Sequence, residues 1–338
     1  MRLALLVSAL SLACAAPSFA QVHALAQVPE GPTRLFQGRD IFGLRAASDP
    51  QVRPDGAAVA YVRVTQDIMT DRGHPSIWLV DPATGAQTPL AADDAANLHP
   101  RWSPDGARLA YVVAGPGGAQ LYVKWMATGR SAKVANLEQA PSSIAWSPDG
   151  KTIAMVMLTL APTQPLGAPM AAPPGAKWAE PLKVIDRVTY RRDGAGYVKP
   201  GYRHLFVVSA DGGQPRQLTF GKYDEGGQIA FTPDGKSLLF ATNRSPSWER
   251  EAQESDIYQV SIADGAMTRL TTRDGPDLAP TPSPDGSKIA YVGFDDHGHR
   301  GYENVRLYVM DRDGRNSHVV TGGFDRSVGA PTWAADGK

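Results

Sequence analysis

Two stretches of this chain concentrate side chains that could do chemistry. Residues 184–197 read Val-Ile-Asp-Arg-Val-Thr-Tyr-Arg-Arg-Asp-Gly-Ala-Gly-Tyr, and residues 244–254 read Arg-Ser-Pro-Ser-Trp-Glu-Arg-Glu-Ala-Gln-Glu. In the first, Arg187, Tyr190, Arg192, Asp193 and Tyr197 supply cations, a carboxylate and two phenols, a set that can line a cavity mouth and hold a polar ligand. In the second, Arg244, Glu249 and Glu251 follow a strand-like run and could reach inward. Both stretches also suit solvated loops in which arginines pair with carboxylates. A third cluster, Asp295-Asp296-His297-Gly298-His299, has metal-ligand residue types. Two histidines and two carboxylates within five residues cannot all face one ion without a special loop, so it reads as a polar connection. No metal and no cofactor is expected.

The elements that must position these groups are announced by a repeat. Arg53-Pro-Asp55-Gly56, Ser103-Pro-Asp105-Gly106, Ser147-Pro-Asp149-Gly150, Thr232-Pro-Asp234-Gly235 and Ser283-Pro-Asp285-Gly286 are near copies, and Ala334-Ala-Asp336-Gly337 is a worn sixth. Their aspartates are 50, 44, 85, 51 and 51 residues apart. A period near fifty with one stretched unit marks a repeat architecture. Pro-Asp-Gly is turn chemistry: proline presets φ, aspartate caps nearby backbone N–H groups, and glycine accepts a positive φ. Turn demand explains these aspartates, and one carboxylate per unit does not make a calcium site. Apolar runs such as Leu109-Ala-Tyr-Val112 and Ile153-Ala-Met-Val156 flank the turns and read as buried strands. A second hairpin follows in each unit, at Asp81–Gly85, Ala127–Gly129, Ala210–Gly213, Ala263–Gly265 and Asp311–Gly314. Two hairpins give four strands. The spacing therefore predicts an all-β fold, a β-propeller of four-stranded blades over residues 45–338, with five full units and the opening of a sixth.

The stretched unit holds about 35 residues more than its neighbours, by comparison of periods. Its first part, 158–182, contains six prolines and reads as an extended excursion. The second part is the Arg/Tyr-rich stretch above. A long insertion inside a compact repeat commonly carries function, because it has to leave the blade and cover something.

Residues 1–20 read as a secretory signal peptide: Arg2, an apolar stretch from Leu3 to Ala16, then small residues before a cut after Ala20. The only cysteine, Cys14, lies inside it, so the mature chain has neither disulfide nor thiol nucleophile. Residues 21–44 form an N-terminal segment ahead of the blades. No later apolar run is long enough for a membrane span. Lys plus Arg equals Asp plus Glu at 34 each, without a basic block, which gives no footprint for nucleic acid. The expected location is the periplasm.

Several segments carry a family resemblance: Asp40-Ile-Phe-Gly-Leu44, Ala47-Ser-Asp-Pro50, Tyr190-Arg-Arg-Asp-Gly-Ala-Gly-Tyr197, His204-Leu-Phe-Val-Val208, Gly213-Gln-Pro-Arg-Gln-Leu-Thr219 and Ala241-Thr-Asn-Arg244. The chain resembles the N-terminal propeller of prolyl-oligopeptidase-family serine peptidases, in the acylaminoacyl-peptidase or dipeptidyl-aminopeptidase-like branch. The resemblance implies about seven blades capping an α/β-hydrolase domain and admitting oligopeptides to a Ser-Asp-His triad. It implies peptide substrates and the chain's own hydrolase domain as partners. Dipeptidyl peptidases of the wider family hold a substrate's amino terminus with propeller carboxylates, but the 244–254 run does not match that acidic pair and the role is not transferred. The nucleophile elbow Gly-x-Ser-x-Gly is absent; Gly129-Arg-Ser131-Ala-Lys133 lacks the second glycine. On this reading the chain is the front part of a longer enzyme, ending before any catalytic residue. Its open terminal blades should expose apolar faces and favour self-association. The alternative is a stand-alone TolB-like propeller that serves as a protein-binding scaffold.

Overall fold

The computed structural model describes residues 35–337 apart from 117, 163–166, 168–169, 180–182, 195, 252 and 299–301. The expected signal peptide, Cys14 and His299 therefore lie outside the described residues. A short 3-10 turn, Gly38–Gly43, precedes the strands. The propeller itself lies within Phe42–Lys338.

Five four-stranded antiparallel sheets follow one another, and each is one of the predicted units. The first contains β1 (Arg45–Val52), β2 (Val59–Asp67), β3 (Arg72–Val80) and β4 (Gln87–Ala91). The second contains β5 (Ala96–Trp102), β6 (Arg108–Gly115), β7 (Gly118–Trp125) and β8 (Ser131–Leu137). In the third, β9 (Ser143–Trp146) and β10 (Thr152–Leu160) are separated from β13 (Gly201–Ser209) and β14 (Arg216–Gln217) by the insertion. That insertion carries its own two-stranded hairpin, β11 (Arg191–Arg192) with β12 (Gly196–Tyr197). The fourth contains β15 (Glu225–Phe231), β16 (Ser237–Thr242), β17 (Asp256–Ser261) and β18 (Met267–Arg269). The fifth contains β19 (Asp277–Pro282), β20 (Lys288–Gly293), β21 (Arg306–Asp311) and β22 (His318–Val319). The excursion starts later than the prolines suggested, because Leu158, Thr159 and Leu160 stay in register with Arg203, Tyr202 and Gly201.

The repeated turn has one geometry. In the second copy, Ser103 Oγ donates to Asp105 Oδ1 at 2.5 Å, the same oxygen accepts from Ala107 N at 3.0 Å, and Gly106 N donates to Ser103 O at 2.8 Å. Gly106 sits at φ +66°, which a residue with a Cβ adopts only under strain. The third, fourth and fifth copies repeat these contacts. In the first copy Arg53 replaces the serine and pairs with Asp55 instead. The worn sixth keeps the backbone bond, Gly337 N to Ala334 O at 2.9 Å.

These hydrogen bonds favour the ionised carboxylate. The Ser283 hydroxyl and neighbouring N–H groups hold Asp285 at about 2, and the Arg53 guanidinium holds Asp55 at about 2. Asp105, Asp149 and Asp234 are lowered in the same way, first by their Ser or Thr hydroxyls. A depressed folded value means the contribution is complete above the ordinary value of 3.8 and is lost as pH falls towards about 2. The melting temperature should therefore drop through that window, and Asp285→Ala should lower it at neutral pH while flattening the drop. A melting temperature that stays level from pH 4 to about 2 would contradict this account of the turns.

Blades are joined by a second repeated device. The residue just before the turn tetrapeptide is Trp102, Trp146 or Trp333 in three copies. Each indole Nε1 donates 2.9 Å to a backbone carbonyl of the preceding blade: Trp102 to Gln51, Trp146 to Arg101 and Trp333 to Thr281. In the first blade this position is Val52, 64% exposed, against 9% for Trp102 and Trp146. Val59 and Tyr61 of that blade are half-buried, whereas the matching Leu109 and Tyr111, Ile153 and Met155, Leu238 and Phe240, and Ile289 and Tyr291 are buried. The fifth blade departs from expectation. The segment after β22 is fastened to it through Val328 N to Val305 O and through Trp333, and its Ala290 and Val292 are buried. Trp333 itself lies outside any strand.

Candidate functional site

Because each sheet is an up-and-down meander, its connections alternate between two ends. The Pro-Asp-Gly turns and outer hairpins occupy one end, here the turn end. The connections β2–β3, β6–β7, β10–β13, β16–β17 and β20–β21, with those between blades, occupy the other, the loop end. Both sequence-predicted stretches fall at the loop end: 184–197 between β10 and β13, and 244–254 between β16 and β17.

There the structure brings Arg187 and Glu249 together. Arg187 Nη1 donates to Gly201 O at 2.7 Å, Nε lies 3.5 Å from Glu249 Oε1, and Nη2 lies 3.7 Å from Asp224 Oδ2. Its guanidinium sits 4.6 Å from the Tyr202 ring centre and 5.3 Å from that of Trp248, which meet edge to face. Aromatic faces attract a cation, and Arg stacks on them more readily than Lys. Gly201, at φ +131°, has to be glycine: a Cβ there would stand 2.1 Å from Thr159 O.

Arg244 is committed elsewhere. It pairs with Glu225, the first residue of β15, whose side chain is 0% exposed, and lies 5.1 Å from the Tyr223 ring centre. Burial pushes the Glu225 carboxyl up, against the pull of Arg244. One Glu225 oxygen, Oε2, and the Arg244 Nε are buried without a hydrogen-bond partner among the described residues. Nearby His204 is held below its ordinary value by burial and by the Arg244 charge. Asp277, which opens β19 as Glu225 opens β15, repeats the pattern with Arg273. Burial again pushes its carboxyl up. None of these residues was singled out from sequence except Arg244; an acidic residue opening the first strand of consecutive units, Glu225 and Asp277, was the available signal.

Glu251 accepts 2.5 Å from Ser247 Oγ, and the Ser245 and Ser247 hydroxyls lower its carboxyl. It faces a cavity of about 590 Å³ between β16–β17 and the fifth blade, lined by Arg244, Glu251, Glu254, Asp256, Tyr258 and Arg269 among others. Tyr190 and Tyr197 pair with ring centres 6.3 Å apart on the β11–β12 hairpin, both half exposed. Lys183 Nζ lies 4.5 Å from the Tyr197 ring centre. Arg192 and Asp193 are exposed at the same hairpin. The eight residues thus separate into a half-buried hub (Arg187, Glu249), a neighbouring ion pair (Arg244), a cavity wall (Glu251) and an exposed aromatic hairpin. Among the described residues no three or more His, Cys, Asp or Glu side chains are grouped to hold a metal.

Comparison with known proteins agrees with the propeller fold. The TolB β-propeller domain pattern matches residues 44–157, and the dipeptidyl peptidase IV N-terminal region matches residues 176–282. The uncharacterized peptidase YuxL of Bacillus subtilis is 31% identical over 230 residues, which cover 67% of this chain and 34% of YuxL. Dipeptidyl-peptidase 5 of Porphyromonas endodontalis is 27% identical over 274 residues, covering 76% of this chain and 38% of the relative. Among solved structures, the acylaminoacyl peptidase of Pyrococcus horikoshii has a TM-score of 0.61 at 20% identity, over 85% of this chain and 41% of that one. The chain spans about half the length of the curated relatives it matches, and the matched stretches take in 34% and 38% of them. Five blades of this pattern, with both regions in sequence, fit the N-terminal β-propeller of a prolyl-oligopeptidase-family peptidase.

Proposed function

We propose that this chain is the gating and docking propeller of an exported serine peptidase that cleaves oligopeptides, of acylaminoacyl- or dipeptidyl-peptidase type, with the Ser-Asp-His machinery in an α/β-hydrolase domain. One observation carries the reading. Leu44, Ile68, Met69, Trp178, Val184, Ile185, Val188, Tyr190, Tyr197, Phe220 and Tyr302 are exposed, and all belong to loop-end segments. Of the exposed large apolar residues from Leu44 onwards, among those described, only Val52 sits at the turn end. Exposed apolar surface gathered on one face is the mark of a surface that meets something else. The buried ion pairs behind that face fix the ends of β15 and β19, so the face is presented on a rigid support.

In this reading the propeller binds and filters peptides and leaves bond cleavage to the hydrolase domain. Export rests on the expected signal peptide at residues 1–20. Among the described residues no helix is long and apolar enough to cross a membrane.

The test is to label the source organism's envelope fraction with a serine-directed fluorophosphonate and to identify labelled species by mass spectrometry. A labelled polypeptide containing tryptic peptides of this propeller, with Gln21 as its amino terminus, is the expected outcome. Propeller peptides found only in unlabelled species would overturn the peptidase reading in favour of a TolB-like scaffold. An amino terminus at Met1 would overturn the export arm alone, and a lipidated Cys14 would overturn only the cut after Ala20.

A further inference from the structure

Arg187 belongs to the insertion by sequence, but its side chain is built into the blades. Tyr202 and the Gly201 carbonyl come from the start of β13, Asp224 from the approach to β15, and Trp248 and Glu249 from the β16–β17 connection. The third and fourth blades together make its socket. Around it the insertion is bare: Val184, Ile185 and Val188 are more than half exposed, and Tyr190 and Tyr197 pair with each other. The hairpin closes on itself through Val198 N to Tyr190 O at 2.8 Å. Among the described residues, a further side-chain tie from the neck of the insertion to a blade is Lys199 Nζ to Gln139 Oε1 at 2.8 Å.

From this we infer that Arg187 is a latch, a positioning residue that holds the Tyr190–Tyr197 hairpin over the junction of the third and fourth blades. Its release frees the hairpin while the propeller stays folded. The physical reason is the uneven way the two parts are held. The blades are held by apolar packing between sheets and by backbone ladders within each sheet, which Arg187 does not enter. The hairpin buries little apolar surface, so the charge-assisted and cation–π contacts of the Arg187 guanidinium, with the Lys199–Gln139 bond at the neck, hold it. The socket carboxylates are 29% exposed, so water can replace the guanidinium without opening the core. Under the gating reading, on which this consequence rests, the latch sets how far the aromatic hairpin stands over the loop-end face.

Limited trypsinolysis of the 338-residue chain is the test, because Arg191 and Arg192 lie within the hairpin and Lys183 lies in the insertion just before it. Cleavage in this regime tracks the population of the open form. Arg187→Ala should speed cutting at those sites by about tenfold, leaving cutting within the blades and the melting temperature near wild type. Trp248→Ala, made on the blade side, should give the same local effect. Arg187→Lys should fall between wild type and alanine, since it keeps the charge but not the planar fork. Unchanged cutting in both Arg187→Ala and Trp248→Ala would overturn the latch, as would new cuts spread through the blades. The outcome is independent of fluorophosphonate labelling, so a latched propeller without a linked peptidase would be recognised as such.

Discussion

Arg244→Met is expected to destabilise the chain by about 3–5 kcal/mol, because it strands a buried carboxylate. Glu225 is 0% exposed, and Arg244 is its ion-pair partner. Burial already pushes the Glu225 carboxyl up, so without the guanidinium it would fold only by taking up a proton. The companion variant separates a stabilising pair from a costly one. Replacing both residues, Arg244→Met with Glu225→Leu, removes the charge together with its partner and should recover most of the loss, since buried pairs exchanged for apolar groups of similar volume are often neutral. Urea unfolding followed by tryptophan fluorescence and by circular dichroism measures both variants. If the single variant loses less than about 1 kcal/mol, Glu225 is finding water or another donor, and the rigid-support account of β15 fails.

Trp146→Ala should cost about 3–5 kcal/mol, the range for emptying a large aromatic site in a packed core. Trp146 is 9% exposed, within the apolar cluster that joins the second and third blades. Its ring lies 4.8 Å from the Arg108 guanidinium, which donates on to Gly150 O at 2.6 Å. Trp146→Phe keeps most of the packing and loses the 2.9 Å bond from Nε1 to Arg101 O, so its loss should be about 1 kcal/mol. Equal losses in the two variants would mean that the indole bond, rather than the buried ring, carries the joint. In that case Phe231, which holds the same position in the fourth blade without an N–H, would need a separate explanation.

The repeat was legible because turn chemistry and strand alternation are local. Pro-Asp-Gly demands a positive φ at glycine and a capping carboxylate wherever it occurs, and each copy from Asp55 to Asp285 meets both demands. Runs such as Ile153–Val156 declare buried strands by composition alone. The five four-stranded blades followed from these two signals, as did the insertion between the third blade's halves. The excursion's start was misplaced at 158 because register is decided by the partner strand: Leu158–Leu160 pair with Gly201–Arg203 whatever follows them.

What each charged residue does depended on partners distant in sequence. Arg187 and Arg192 look alike in the sequence, yet one is seated between Tyr202 and Trp248 and the other is exposed. Arg244 resembled a gating residue and is the counter-ion of Glu225, 19 residues earlier. Trp102 and Trp146 end strands and Trp333 holds the same place before the worn turn, but their bonds to Gln51, Arg101 and Thr281 exist only because successive blades bring positions about fifty residues apart together, as the repeat period requires. Turn and strand formation are settled within a few residues of chain. Desolvation and charge pairing are settled by whatever the fold places around a side chain.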